Sequence, residues 1–262
     1  MPELKPRFFL PIALMAVSMA QSVLGGTACA QTIYVKILVD EEEPTSQRAW
    51  QQRLAGRLYQ ASDVISKYCG LRFAASCFGT WDSDDGIHDL SRSLREFESE
   101  VTPSPAQMAV GFTSQYRLQR GRHSLGGTRG PLHSHILIRE GALTVHETER
   151  MEVLVHELGH FLGAAHSADP GSVMRPVLGD GLVRSKNFQV HFDPDNGRVV
   201  RLVAAEIRDL RVRRFEQLSL ETKRKIRQHY TTLAAQAPDD PTAPKYIQLI
   251  DRSLAAKPEG AR

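Results

Sequence analysis

The stretch VLVHELGHFLGAAHSADPGSVMRP, residues 153–176, places His156, Glu157, His160, Gly163, His166 and Met174 in a fixed rhythm. His156 and His160 are four residues apart. On a helix that spacing puts both imidazoles on one face, one turn apart, where both can reach a single metal ion. Glu157 lies about 100° round from His156. It stands beside such an ion, placed to hold a water molecule and take its proton. Gly163 tolerates positive φ and permits a sharp exit that returns His166 as a third ligand. Three neutral imidazoles with a fourth position left for water describe a catalytic zinc site. The bland alternative is an apolar core helix carrying coincidental histidines. A bare H-E-x-x-H arises by chance. The added glycine and third histidine at fixed offsets make coincidence remote.

HELGHFLGAAH followed by SVMRP resembles the metzincin clan of zinc endopeptidases. Ser167 directly after the third histidine, the eight-residue step from His166 to Met174, and Pro176 two residues further resemble its matrixin branch. The resemblance implies one zinc ion held by His156, His160 and His166, Glu157 as general base, and Met174 as an apolar floor beneath the site. It also implies an edge strand at Leu125, Gly126, Gly127 and Thr128 that pairs with an extended substrate. Pro176, Val177 and Leu178 would help line the pocket for the residue after the scissile bond. Arg175 departs from the pattern, since matrixins usually carry tyrosine there, and no structural zinc and calcium segment is recognisable. The activity implied is hydrolysis of peptide or protein substrates. The alternative is a non-catalytic zinc-containing module that grips peptides or surface material. Glu157 argues against it, because a pure binder needs no base. Hydrolysis of a non-peptide amide is a third reading.

These residues need elements to position them. TIYVKILV, 32–39, reads as a first strand. Trp50, Leu54, Leu58, Ala61 and Ile65 recur at helical spacing within 45–68, and Gly70 ends that helix. A second strand runs from Leu71 to Trp81, a second helix from Asp84 to Val101, and a third strand over 107–112. HILIRE, 135–140, is a further strand, and the helix bearing the histidines starts near Thr144 or Thr148, with Thr144 and Glu147 fitting a capping box. Alternation of strand and helix predicts an α/β fold: a mostly parallel sheet covered by helices, with an antiparallel edge strand near Leu125–Thr128. This order, 32 to 176, is compatible with the metzincin catalytic domain.

Three regions follow: a leader over 1–30, a catalytic domain over 31–198, and a helical extension over 199–262. In the leader, Lys5 and Arg7 precede an apolar run that ends in Ala28-Cys29-Ala30, the pattern of a secretory signal peptide cleaved after Ala30. The expected location is secreted or periplasmic. An uncleaved anchor and a lipid-modified Cys29 are alternatives. Cys69 and Cys77 then form an even pair, expected as a disulfide in an exported chain. The 262 residues carry 41% hydrophobic and 24% charged residues with a net charge of +3, too small to argue for nucleic acid. A monomer is expected, without stable membrane insertion after cleavage.

Residues 199–235 read as two helices with Ser219 between them as N-cap. Their excess of Lys and Arg reads as a solvated basic face. Val200, Val203, Ile207 and Leu210 make an apolar stripe that needs burial. Beyond Pro238 the chain is breaker-rich, and the tail is expected to be dispensable. HFDPDNG, 191–197, alternates oxygen-bearing residues as calcium loops do, but lacks the downstream glutamate. A turn before a helix is the expectation there, and calcium is unsupported. His123, His133 and His135 are expected as exposed loop histidines.

Overall fold

A computed structural model of the protein describes residues 31–115, 125–140, 145–185 and 189–255. The leader, His123 and Thr144 lie outside the described residues. In chain order the elements are β1 (Thr32–Asp40), α1 (Gln47–Cys69), β2 (Arg72–Trp81), α2 (Leu90–Glu100), β3 (Met108–Thr113), β4 (Gly126–Thr128), β5 (His135–Arg139) and α3 (Glu147–Phe161). Then come α4 (Pro194–Leu210), α5 (Leu220–Gln236) and α6 (Thr242–Ala255). The strands form one five-stranded sheet in the order β2-β1-β3-β5-β4. All pairings are parallel except β4 with β5, the antiparallel edge. This is the α/β layout that the sequence leads one to expect.

Side chains alternate across the sheet as a two-residue period requires. Ile33, Val35, Ile37 and Val39 of β1, Met108, Val110 and Phe112 of β3, and Ile136 and Ile138 of β5 point into the main core. Leu38, Ala109 and Leu137 point the other way, into a smaller core built with Trp81 and with Leu90, Leu94 and Phe97 of α2. Both faces are therefore covered, as parallel sheets demand. Gly111 permits the close approach of α2, since a Cβ there would meet the Phe97 ring at 2.8 Å.

α3 is buried on every side from Glu152 to Phe161, unlike a surface helix. Its N-cap is His146, whose N–H donates to Glu149 at 2.8 Å. The capping box therefore sits two residues later than Thr144 and Glu147. α1 ends at Gly70 in the left-handed region, φ 68°, with its N–H donating to the Ser66 carbonyl. Ser219 caps α5 by accepting from the Thr222 N–H. Asp193 caps α4 by accepting from the Asn196 N–H, so HFDPDNG is a turn into a helix.

Several expectations are corrected. Cys69 and Cys77 are both free thiols. Cys69 closes α1, whereas Cys77 lies inside β2 opposite Lys36. From Arg72 to Cys77 the strand climbs roughly 16 Å, well past the span a disulfide tolerates. His135 is not an exposed loop residue. It is buried in β5, with Nε2 2.8 Å from the Val101 carbonyl. The boundary between residues 198 and 199 falls inside α4. Val199, Val200, Val203 and Ile207 of α4, Ile226, Tyr230 and Leu233 of α5, and Ala243, Tyr246 and Ile250 of α6 all join the main core. The segment beyond Pro238 is thus a packed helix, because its apolar face closes that core. Among the described residues no helix is long and apolar enough to cross a membrane.

Candidate metal centre

The rings of His156 and His160 lie with centroids 4.6 Å apart on α3. The helix ends at Phe161 with Leu162 as its C-cap, and Gly163 turns the chain with φ 89°. A Cβ on Gly163 would press on Tyr230, Val199 and Val203 at 3.2–3.3 Å, so both its conformation and its neighbours favour glycine. The Tyr230 hydroxyl donates to the Gly163 carbonyl at 2.6 Å and pins the turn. Asn196, fully buried at the start of α4, then brackets Ala165: its side-chain oxygen accepts from the Ala165 N–H and its amide donates to the Ala165 carbonyl. The chain emerges with the His166 ring 5.4 Å from His156 and 5.1 Å from His160.

One nitrogen from each of these three rings lies within 4.8 Å of the other two. The Nδ1 atoms are committed elsewhere. His156 Nδ1 lies 2.7 Å from the Val173 carbonyl, and His160 Nδ1 2.8 Å from the Ala164 carbonyl. Carbonyls only accept, so each Nδ1 carries the proton and each Nε2 is left with a bare lone pair. His166 Nδ1 lies 2.7 Å from the Asp240 carboxylate. Burial, reinforced by the neighbouring histidines, holds His156 well below its ordinary range and pushes His160 down to about 3. Both are therefore neutral at pH 7, the state that metal ligation requires.

Glu157 is buried beside these rings, and with no compensating partner burial pushes its carboxyl up to about 8. Its Oε2 has no hydrogen-bond partner. A buried, unpartnered carboxylate oxygen next to three lone-pair nitrogens fits a metal ion carrying water. β4 runs hard against this carboxylate. A Cβ on Gly126 would lie 2.8 Å from Glu157 Cγ and Oε1, whereas Gly127 faces Leu90 of α2.

Met174 is fully buried beneath α3. A Cβ on Gly159, inside the HELGH stretch, would meet the Met174 sulfur at 2.8 Å, so that glycine makes room for the methionine. The turn carrying Met174 is tied on three sides. The Ser167 N–H donates to the Met174 carbonyl, the Val173 N–H donates to the His191 carbonyl, and Ser172 Oγ donates to Asp193. Arg175 is paired with Glu152 at 2.7 Å and with Asp180 at 3.1 Å. It thereby clamps the loop that follows. Gly181 donates to Glu149, and a Cβ on Gly179 would strike Leu125 at 2.7 Å. The loop thus lies against the residue leading into β4. Pro176 and Val177 are exposed and Leu178 is half-buried.

The fold therefore brings together His156, Glu157, His160, His166 and Met174, with Gly126 in contact and the 176–178 loop beside Leu125. Cys69 and Cys77 lie elsewhere. The sequence assigns no role at the histidine site to Asn196, Tyr230, Asp240, Thr242 or Tyr246. None shares a spacing with the motif. For Tyr230 and Tyr246 the available signal is an aromatic residue on the apolar face of a helix; Asp240, in the linker between α5 and α6, carries none.

Residues 114–201, about a third of the chain, match the family model described as matrixin. No curated protein matches the sequence. Among solved structures, archaemetzincin from Methanopyrus kandleri is similar at 15% identity and a TM-score of 0.47, covering 65% of this chain and 95% of that one. A chain in the structure of a chaperone-substrate complex is similar at 13% identity and a TM-score of 0.46, covering 69% of this chain. This protein spans 39% of that chain's length. The matched segment contains the three clustered histidines, Glu157 and Met174, so the similarity to the matrixin family, over residues 114–201, falls on the residues that form this site.

Proposed function

We propose that this protein is an exported zinc-dependent endopeptidase acting on peptide or protein substrates. The observation that carries the reading is Glu157: a buried carboxyl group with an unpartnered oxygen beside three histidines whose Nε2 lone pairs are free. His156, His160 and His166 would hold the ion. Zinc, when bound, lowers the pKa of a coordinated water to about 7 and polarises a substrate carbonyl. Glu157 would be the general base, its unpartnered Oε2 taking a proton from such a water and passing it to the leaving amine. β4, the edge strand of the sheet, would lie alongside an extended substrate, and Pro176 to Leu178 would flank the next side chain. Export rests on the leader pattern of residues 1–30.

Metal analysis combined with a peptide-library cleavage profile tests this reading. Glu157→Ala should keep zinc and lose a factor of about 10²–10⁴ in turnover. Near wild-type turnover would refute the assigned role. A wild-type protein that binds no zinc and cleaves nothing would refute the reading as a whole.

A further inference from the structure

The carboxylate of Asp240 comes from the linker between α5 and α6, more than seventy residues after the histidine it touches. Its Oδ2 lies 2.7 Å from His166 Nδ1, and Thr242 Oγ1 lies 3.0 Å from the same nitrogen. The other oxygen, Oδ1, accepts from the Thr242 N–H at 2.9 Å. The linker is itself folded, since the Asp240 N–H donates to the Ala237 carbonyl. Four residues beyond Thr242, Tyr246 is buried with its hydroxyl 3.4 Å from His160 Nδ1 and its ring edge-on to that imidazole. Nothing in the matched segment 114–201 supplies these contacts.

His156 and His160 are oriented by carbonyls of their own neighbourhood, the Met174 turn and the exit of α3. Among the described residues His166 Nδ1 has no such local partner. It sits on an irregular segment, where an imidazole with a free Nδ1 can rotate. A carboxylate at 2.7 Å fixes the Nδ1–H tautomer and the ring plane, and its charge makes the opposite nitrogen a stronger donor. We propose that Asp240 is a positioning residue for the metal ligand His166, so that the α5–α6 linker is an integral part of the metal site. This inference rests on the metal-site reading proposed above.

The test is the zinc affinity of the purified full-length protein, measured by chelator competition and supported by the visible spectrum of the Co²⁺ form. Asp240→Asn is the informative variant. Its side-chain oxygen keeps the bond to the Thr242 N–H, but it presents no charge to His166. Affinity should fall by about 10–100-fold, the Co²⁺ bands should shift, and the melting temperature of the metal-free protein should stay near wild type. Asp240→Ala should bind at least as weakly. His166→Ala is the control. If Asp240→Asn binds zinc as tightly as wild type while His166→Ala does not, the positioning role is overturned. If Asp240→Asn instead unfolds the metal-free protein, the residue is a structural cap and the proposal is equally overturned. Wild-type affinity in His166→Ala would point to failure of the metal-site reading itself.

Discussion

Gly126 and Glu157 are in mutual contact across the candidate cleft: the glycine's missing Cβ is the space that the glutamate side chain occupies. A methyl group there would sit 2.8 Å from both Cγ and Oε1. The edge strand and the Glu157 side chain are therefore placed by one another. Gly126→Ala should push the carboxylate aside while leaving the three histidines in position. A displacement of about 1 Å at a reacting group costs on the order of 10²-fold in rate. Steady-state peptidase assays with parallel zinc determination should show low turnover at normal zinc content. Unchanged turnover would mean that the contact does not position Glu157.

The raised Glu157 pKa makes the stability of the metal-free protein depend on pH. The folded state holds this proton up to about pH 8, whereas the unfolded state releases it near 4.5. The folded form therefore binds more protons between these values, and stability falls as pH rises through the window by about 1.4 kcal/mol per unit. Glu157→Gln removes the effect. Urea unfolding of both metal-free proteins from pH 5 to 8 should show the wild type losing stability relative to the variant. Parallel curves would contradict the buried, unpartnered carboxyl group.

The opposite sign applies to His160. Its folded pKa of about 3 lies below the ordinary 6.5, so its contribution is complete above 6.5 and is lost as pH falls towards 3. His156 is displaced in the same direction. Acid unfolding of the metal-free protein should therefore begin below about pH 6.5, and His160→Gln should unfold at lower pH than wild type. Circular dichroism across an acid titration checks the order.

Arg175 and Glu152 form an ion pair in which the Glu152 side chain is wholly buried. Truncating the arginine leaves that carboxylate without its cation. Breaking a buried pair from one side costs about 3–5 kcal/mol, so Arg175→Met should destabilise by that order in urea titrations. Arg175→Met with Glu152→Leu should recover much of the loss. A single variant as stable as wild type would show that Asp180 and the 176–182 loop do not depend on the clamp.

Removal of α6 should be severe. Tyr246, Ala243 and Ile250 are buried in the main core, and Asp240 goes with them. At roughly 1.5–3 kcal/mol for each large apolar side chain buried, a chain ending at Ala237 should be poorly soluble or should melt well below wild type. Expression of that truncation with thermal melting decides it. A truncated protein that melts with the wild type would restore the reading of this segment as a dispensable tail.

Much of this protein was legible from the sequence because its determinants are local. The alternation in TIYVKILV and HILIRE reflects a two-residue strand period, and the helix carrying Trp50 to Ile65 shows its buried face directly. The four-residue step from His156 to His160 fixes their relation on any helix, and Gly163 declares the turn that follows. Even the antiparallel edge at Gly126–Thr128 could be read from its glycines. What remained hidden depends on contacts between segments far apart in the chain. The Cys69–Cys77 expectation failed because sequence proximity says nothing about an intervening extended strand. The tail beyond Pro238 reads as polar and broken, because the apolar face of α6 gains meaning only from the core it closes. Asp240 is an ordinary loop aspartate until folding brings it to His166. Asn196, mid-turn in a polar stretch, looks solvent-facing until it is seen bracketing Ala165. The three clustered histidines are a property of one helix and its exit; their orientation is a property of the whole fold, because an imidazole's second nitrogen needs a partner that only tertiary packing can deliver.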